Sequence, residues 1–367
     1  LHEVALQPSG VPVADEYYGP TGAFRGTETC DVAGYEWSQI IFLMITGQSV
    51  FGDRVERAFF NAGPAVVTRD FKNHVYFQSP NRVTDGSPSA PHGPGASGFS
   101  YKPCHFPLCC TAALNRIVPN YVMHMWMATP DNGLAATMYG PCKVSALVAN
   151  GVPIEIACQT SYPFDDTITM TLRSERLATF PLLLRIPKWC PNPQLYLNGN
   201  AIPATAGENG FVRIERAWHD GDTVKLRLPM LVQVESGNDR NADQAPYSTV
   251  SYGPLLFALP IPETDNANSP DLRVPWKFAL DPNQTPTDLA VEHHELPSPW
   301  NWPLDAPVKI RVNAWPIEWN LEPQSPRLPD RPTPMADHPE KITLVPYGCT
   351  KFRISMFPVI RRQPDAR

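Results

Sequence analysis

The sequence has no excess of positive charge and no long apolar segment. Lysine and arginine number 30 against 36 acidic residues, which gives a formal charge of −6 and a pI near 5.9. Because binding to a phosphate backbone requires a basic surface that releases counterions, we expect no nucleic-acid partner. The longest apolar runs, such as Ile40–Ile45, are far shorter than the roughly 20 residues that span a bilayer. We therefore expect no membrane partner either.

Cysteine is scarce, and no charged-then-apolar leader opens the chain. Only 8 of the 367 residues are cysteine, and none form a Cys-x-x-Cys motif, so a redox protein is disfavoured. The sequence starts at Leu1, not at a methionine, and in a loop-like segment, so we expect N-terminal sequence to precede it. The sequence leaves open whether the protein is cytoplasmic or exported, and it does not predict an oligomeric state.

Helical patterns are confined to the first third of the chain, although 43 prolines are spread over the whole. Apolar spacing predicts a helix over Thr29–Thr46 that ends at Gly47. A second helix is predicted from Asp53 to Ala62, with Gly63-Pro64 as its stop. A third should begin near Cys109.

From about Gly133 the hydrophobic period changes to two. Alternation over Thr167–Leu172 and Thr223–Leu228 predicts strands, and Asn198-Gly199 and Asp220-Gly221 predict hairpin turns. This part of the chain is therefore predicted to form an antiparallel β-sandwich.

The adjacent cysteines Cys109 and Cys110 lie downstream of the triplet Glu28-Thr29-Cys30. Neighbouring thiols rarely form a disulfide with each other, because disulfide geometry needs separated backbones, yet both can bind one metal ion. Three thiolates and a carboxylate are a suitable tetrahedral ligand set for Zn²⁺. Two ordinary buried thiols at a helix start are the alternative, and Cys104 is a further possible ligand.

Several segments carry a resemblance to a known family. They are Gly26-Thr27-Glu28-Thr29-Cys30, Asp53 to Ala62, Cys109-Cys110-Thr111-Ala112, Leu184 to Cys190, Trp218 to Asp222 and Tyr252 to Leu255. Together they resemble the β-L-arabinofuranosidase-type glycoside hydrolases, family 127 and its relatives, over most of the chain. Members have an (α/α)6 barrel followed by β-sandwich domains.

The resemblance implies an α+β multidomain fold. Residues 1–130 would be the C-terminal part of the (α/α)6 barrel, 131–260 a β-sandwich, and 261–367 a proline-rich linker with further strands. The alternative for the first region is a small helical cap folded onto the sandwich.

The resemblance also implies roles for single residues. The zinc ligands of the family fall on Glu28, Cys30, Cys109 and Cys110. Cys109 matches the nucleophile as well.

The remaining site residues come from the same resemblance. Glu16 best matches the general acid/base, with Asp15 beside it as the alternative. Glu56 and Tyr76 fall where the family contacts the sugar ring.

The resulting hypothesis is a zinc-dependent, retaining glycoside hydrolase that releases terminal β-L-arabinofuranosyl or related sugars from plant-type glycans. A carbohydrate is thus the expected partner. The alternative is a non-catalytic carbohydrate-binding or scaffold protein with a structural zinc, because four protein ligands describe a closed site.

Four further cysteines lie in β segments without metal-like spacing: Cys142, Cys158, Cys190 and Cys349. They are interpreted as core residues or, if the protein is exported, as disulfide partners.

Overall fold

The computed structural model describes residues 2–84, 95–266, 268–285, 288–295, 307–320 and 327–361. Four α-helices lie within these residues: α1 (His2–Ala5), α2 (Thr29–Thr46), α3 (Ser49–Ala65) and α4 (Cys109–Met123). The 3-10 helices Gly95–Phe99 and Tyr347–Cys349 also lie within the described residues.

Strands make up most of the regular structure. They are β1 (Thr27–Glu28), β2 (Phe77–Gln78), β3 (Trp126–Ala128), β4 (Leu134–Ala136), β5 (Cys142–Val148), β6 (Val152–Thr160), β7 (Thr167–Ser174), β8 (Ala178–Arg185), β9 (Gln194–Leu197), β10 (Asn200–Ile202), β11 (Phe211–Trp218), β12 (Thr223–Arg227), β13 (Val232–Asp239), β14 (Ala245–Tyr252), β15 (Leu255–Ile261), β16 (Phe278–Leu280), β17 (Ala290–His293), β18 (Val308–Pro316), β19 (Glu340–Pro346), β20 (Phe352–Ile354) and β21 (Phe357–Pro358). The described fold is therefore β-rich with few helices.

The helix predictions are confirmed for α2 and for the start of α4, and they need a correction for α3. Gly47 has a φ of 65°, the left-handed conformation that ends α2 without steric cost. Helix α3 begins at Ser49, before Asp53, and continues past Ala62. Pro64 is the last but one residue of α3, so its missing N–H and its ring disturb only the end of the helix.

Contacts divide the chain into two compact units. The first comprises Leu1–Tyr35, Arg57–Ile117 and Val232–Arg367, and the second comprises Glu36–Glu56 and Val118–Leu231. The boundaries at 130 and 260 that the sequence suggested stay a prediction. The third predicted region also includes residues 296–306, 321–326 and 362–367, which lie outside the described residues.

The first unit contains a nine-stranded sheet and a helical core. The strand order is β13-β14-β15-β19-β18-β16, with β17 on β18, β20 on β15 and β21 on β14. Val32, Ala58, Ala62, Ala113 and Ile117, on α2, α3 and α4, belong to one buried cluster. This cluster holds the three helix segments of the unit together by burial of apolar surface.

The second unit contains two sheets. Their strand orders are β10-β9-β12-β7-β6-β5 and β11-β8-β4-β3. Alternate residues of β7 and β12, among them Ile168, Met170 and Leu226, are buried, as the period of two predicted. The prediction of purely antiparallel pairing is wrong for one pair, since β4 runs parallel to β8.

Among the described residues, none of the helices combines the length and the apolar character that a membrane crossing requires.

Candidate active site

Strands β1 and β2 and the start of helix α2 position Glu28 and Cys30. Strand β1 ends at Glu28 and pairs antiparallel with β2. Helix α2 begins at the next residue, Thr29, whose N–H donates to the Tyr76 carbonyl (2.9 Å) and whose hydroxyl donates to the Val75 carbonyl (2.7 Å). The start of α2 is thus tethered, and Glu28 and Cys30 are fixed on either side of Thr29.

The cysteine pair at the start of α4 lies beside these residues. Cys110 Sγ is 3.1 Å from Cys30 Sγ and 3.8 Å from Glu28 Oε2. Ligand atoms of Glu28, Cys30, Cys109 and Cys110 all lie within 4.8 Å of one another. The structure therefore brings the four predicted zinc ligands together. Cys104 is exposed and is not a member of this group.

Burial and close contacts shift the pKa values of the groups in this cluster. Burial raises the pKa of Glu28 to about 7, and the Glu16 carboxylate adds to this shift. A hydrogen bond from Cys110 lowers the pKa of Cys30, and the same bond, together with burial, raises the pKa of Cys110. Cys30 is therefore the more acidic of the two thiols.

A further carboxyl, which the sequence analysis did not identify, lies near this group. Burial raises the pKa of Asp31 to about 7, and the charge of Glu28 contributes to that shift. Asp31 Oδ2 is buried without a hydrogen-bond partner. Three soft sulfurs, a carboxylate oxygen and this additional acidic charge fit a zinc ion, which favours the deprotonated form of each ligand.

The Tyr76 hydroxyl joins Glu16 to Cys109. It donates to Glu16 Oε1 at 2.7 Å and lies 3.3 Å from Cys109 Sγ. Because both contacts share one hydroxyl, the Glu16 oxygen and the Cys109 sulfur are within about 6 Å of each other. Tyr76 is only 1% exposed, whereas Cys109 is exposed and Glu16 half-buried. An accessible sulfur and a nearby carboxyl are the groups that a nucleophile and a proton donor require.

The neighbouring carboxyl, Asp15, has a different environment. It is buried and accepts two hydrogen bonds from the Arg25 guanidinium, at 2.6 and 2.7 Å. Glu16 has a φ of 75°, and its N–H donates to Glu28 Oε1 at 3.2 Å. Of the two residues, Glu16 is the one whose side chain is joined to Cys109 through Tyr76.

Glu56 lies in the second unit and is fully buried. Its carboxylate forms an ion pair with Arg185 at 2.5 Å and accepts hydrogen bonds from the Tyr162 hydroxyl (2.6 Å) and the Tyr139 N–H (3.0 Å). Arg185 also pairs with Asp53. The structure thus gives Glu56 a buried structural ion pair, and the sugar contact inferred from the resemblance stays a prediction without geometric support.

A histidine pair next to the start of α4 was not identified from the sequence as part of the site. Thr111 Oγ1 lies 3.1 Å from His74 Nε2 and accepts the His105 N–H at 3.2 Å. His105 Nε2 lies 2.9 Å from the His74 carbonyl oxygen. These contacts fix the first turn of α4, and therefore the cysteine pair. The one available signal was the position of His105 and Thr111 on either side of Cys109-Cys110.

Comparison with known proteins identifies relatives of this chain. Residues 133–230 match the family model described as "Beta-L-arabinofuranosidase, GH127 middle domain". The chain is also 26% identical over 341 residues to a non-reducing end β-L-arabinofuranosidase of Bifidobacterium longum subsp. longum, a match that covers 90% of this chain and 48% of that protein. The resemblance noted in the sequence is therefore confirmed, and the chain is related to the family 127 glycoside hydrolases.

Two solved structures share the fold. A GH127 β-L-arabinofuranosidase from Geobacillus stearothermophilus T6 has a TM-score of 0.72 and 20% identity, with 97% of this chain and 54% of that chain covered. A second GH127 β-arabinofuranosidase has a TM-score of 0.74 and 17% identity, with the same coverage of 97% and 54%. The chain thus spans about half the length of the relatives that it matches.

Proposed function

We propose that this chain, as a relative of the family 127 glycoside hydrolases, carries the catalytic groups of a retaining glycoside hydrolase. The observation that carries this proposal is the link from Glu16 through Tyr76 to Cys109, which keeps the two reactive atoms within about 6 Å. Retaining glycosidases separate their two catalytic carboxyls by roughly 5–5.5 Å, and inverting enzymes by roughly 6.5–9.5 Å to admit a water. The distance between the Glu16 oxygen and the Cys109 sulfur, about 6 Å or less, is shorter than that in inverting enzymes. It therefore favours direct attack by Cys109.

In the first half-reaction, the Cys109 sulfur attacks the anomeric carbon while Glu16 donates its proton to the leaving glycosidic oxygen. A glycosyl thioether on Cys109 results. In the second half-reaction, the Glu16 carboxylate takes a proton from water as that water attacks the anomeric carbon and displaces the sulfur. Two displacements at one carbon retain its configuration.

Tyr76 positions both groups in this scheme. Burial, reinforced by its hydrogen bonds to Cys109 and Glu16, raises its pKa, so the phenol stays protonated and donates. Its donated hydrogen bond holds the Glu16 carboxyl within about 6 Å of the Cys109 sulfur. Tyr76 is only 1% exposed, which leaves little of its side chain for the sugar contact that the resemblance implies.

Glu28, Cys30, Cys109 and Cys110 would hold a zinc ion, since their donor atoms are of the right type and lie within 4.8 Å of one another. When bound, zinc would keep the nucleophilic sulfur deprotonated at neutral pH, where a free thiol with a pKa near 8.5 is mostly protonated.

The proposed substrate is a terminal β-L-arabinofuranosyl group, or a closely related sugar, of a plant-type glycan. This assignment is supported by the β-L-arabinofuranosidase names of the curated and family matches. A carbohydrate is the corresponding partner.

We further propose that the helices are the end of an (α/α)6 barrel and that residues 1–130, 131–260 and 261–367 form three successive regions. Support comes from apolar side chains that the second unit leaves exposed on α2 and α4. These are Trp37, Phe42, Met44, Ile45, Val118, Val122 and Met123. Further helices packed on them would bury this surface.

The test is hydrolysis of an aryl β-L-arabinofuranoside by zinc-supplied protein, for this chain alone and for a longer protein in which further helical sequence is joined to its N-terminus. We expect turnover in the longer protein, β-L-arabinose as the first-formed anomer by NMR, and a pentosyl adduct on the peptide that contains Cys109. An α-configured first product would overturn the retaining mechanism.

A second candidate function is favoured by the closed, four-ligand character of the site: a carbohydrate-binding or scaffold protein with a structural zinc. It predicts stoichiometric zinc and sugar binding with no turnover and no adduct on Cys109. The same experiment therefore separates the two.

A further inference from the structure

Two cysteines outside the candidate active site face each other across a strand pair. Cys142 is the first residue of β5, and its register partner on β6 is Cys158. Residues directly opposite in an antiparallel pair have Cα atoms about 4.5–5.5 Å apart and point to the same face of the sheet. A disulfide needs Cα atoms about 4.4–6.8 Å apart, so this register suits one.

Cys142 and Cys158 belong to a hairpin at the edge of a sheet. Strand β5 is the edge of the six-stranded sheet, and β5 and β6 form a hairpin whose turn lies at the opposite end, between Val148 and Val152. Cys142 and Cys158 therefore lie near the open end of the hairpin. An edge strand has one unpaired side, and its free end is the part that frays most readily.

We propose that Cys142 and Cys158 form a reversible cross-strand disulfide when the protein meets a small-molecule disulfide such as oxidised glutathione. This modification site is distinct from the predicted zinc ligands, and it does not depend on the proposed function.

The chemistry runs in two balanced steps. The Cys142 thiolate attacks one sulfur of the oxidant, forms a mixed disulfide and releases one thiolate. The Cys158 thiol loses its proton, and its sulfur attacks the Cys142 sulfur and expels the second thiolate. Two protein thiols are oxidised, and one molecule of the oxidant is reduced to two thiols.

The surroundings of the two sulfurs fit this order of events. Cys142 is half-buried and Cys158 is buried, so the oxidant reaches Cys142 first. A hydrogen bond from the Cys158 thiol lowers the pKa of Cys142 to about 7. The Trp126 indole N–H, which donates to Cys142 Sγ at 3.3 Å, makes a smaller contribution in the same direction. The same bond and burial raise the pKa of Cys158. Cys142 is thus the nucleophile and Cys158 the resolving thiol.

Tryptic digestion separates the two cysteines into different peptides, so a disulfide between them can be detected directly. Lys143 lies between the two cysteines, and trypsin releases peptides 117–143 and 144–173, which carry Cys142 and Cys158 respectively as their only cysteine. The full chain, supplied with zinc to protect the other site, is incubated with oxidised glutathione, alkylated and digested. We expect a linked peptide pair two hydrogen atoms lighter than the sum of its parts, and its loss after reduction.

Two variants and one control complete the test. Cys142→Ser and Cys158→Ala should each abolish the linked pair, whereas Cys190→Ala, which removes another buried thiol of the same unit, should leave it unchanged. In the unsubstituted protein, oxidation should also raise the melting temperature and slow amide exchange in β5, because the link constrains the open end of the hairpin.

Separate alkylated peptides after exposure to the oxidant would overturn the proposal. So would a glutathione adduct on Cys142 that persists without resolution by Cys158. Linkage of either peptide to another cysteine of the chain would do the same.

Discussion

Arg25 holds the carboxylate of Asp15 through two hydrogen bonds of 2.6 and 2.7 Å. Both oxygens of this buried side chain are therefore occupied. The adjacent Glu16 bonds instead to the Tyr76 hydroxyl. This difference favours Glu16 over Asp15 as the proposed proton donor, and it leads to the first prediction.

Glu16→Gln should slow the hydrolysis of substrates with poor leaving groups by about 10²–10⁴-fold. It should affect activated aryl glycosides far less, because proton donation matters least when the leaving group departs unaided. Rates on both substrate classes measure this. Asp15→Asn is the matched control, and a larger leaving-group-dependent loss in that variant would move the acid/base role to Asp15.

Tyr76→Phe should lower kcat by roughly 10- to 100-fold, the loss expected for one hydrogen bond to a charged group, and should leave KM nearly unchanged. The reason is that the hydroxyl orients Glu16 and Cys109 while the ring is buried. Steady-state kinetics separate the two constants. A raised KM at constant kcat would instead indicate that Tyr76 mainly contacts the sugar.

Cys30→Ser should reduce bound zinc and lower the melting temperature, because the predicted ligands connect the start of α2 with the start of α4. Elemental analysis and thermal unfolding measure the two effects. Cys104→Ser, which removes an exposed thiol outside the group, should change neither. Equal zinc content in all three proteins would contradict the assignment of Cys30 as a ligand.

Arg185→Met should destabilise the protein by about 3–5 kcal/mol, because it leaves Glu56 as a buried charge without its cationic partner. Arg213 offers a matched control: it also contacts two acids, Asp131 and Glu215, but on the surface. Arg213→Met should cost about 0–1 kcal/mol. Denaturant titration of both variants gives the comparison, and similar losses would show that Glu56 tolerates the absence of a partner.

His74 should make stability depend on pH in a defined window. Burial lowers its pKa from 6.5 to about 4 in the folded protein. Between these values the unfolded chain binds more protons than the folded one, so the contribution is complete above about pH 6.5 and is lost as the pH falls toward 4. The difference in unfolding free energy between the protein and His74→Gln should therefore shrink across this range. A pH-independent difference, or the same trend for the exposed His338→Gln, would contradict this role.

The parts of the fold that could be predicted from the sequence are those set by local pattern. Helix α2 has the predicted bounds because its apolar spacing and the left-handed Gly47 both lie within one segment. Helix α3 is longer than predicted at both ends: it begins at Ser49 instead of Asp53, and Pro64 falls within its last turn instead of stopping it. The parallel pairing of β4 with β8 joins distant segments, and no local pattern encodes it.

In the candidate site, too, the residue types could be predicted from the sequence, whereas their contacts could not. The ligand types at Glu28, Cys30, Cys109 and Cys110 were recognisable as residues, although only the fold brings them together. The bond from Arg25 to Asp15 and the ion pair from Arg185 to Glu56 depend on tertiary neighbours. A sequence pattern identifies a carboxyl, but its partner decides whether that carboxyl can react.

The left-handed backbone conformation of Glu16 depends in part on Glu28. A non-glycine residue at a φ of 75° stores conformational strain, and here the Glu28 carboxylate, which accepts its N–H, helps to hold it. A change that turns the Glu28 side chain would therefore release this backbone and move the Glu16 carboxyl, the proposed proton donor, away from the Cys109 sulfur. One hydrogen bond thus joins the proposed metal ligand Glu28 to the proposed proton donor Glu16, so a change at the proposed metal site would also slow proton transfer.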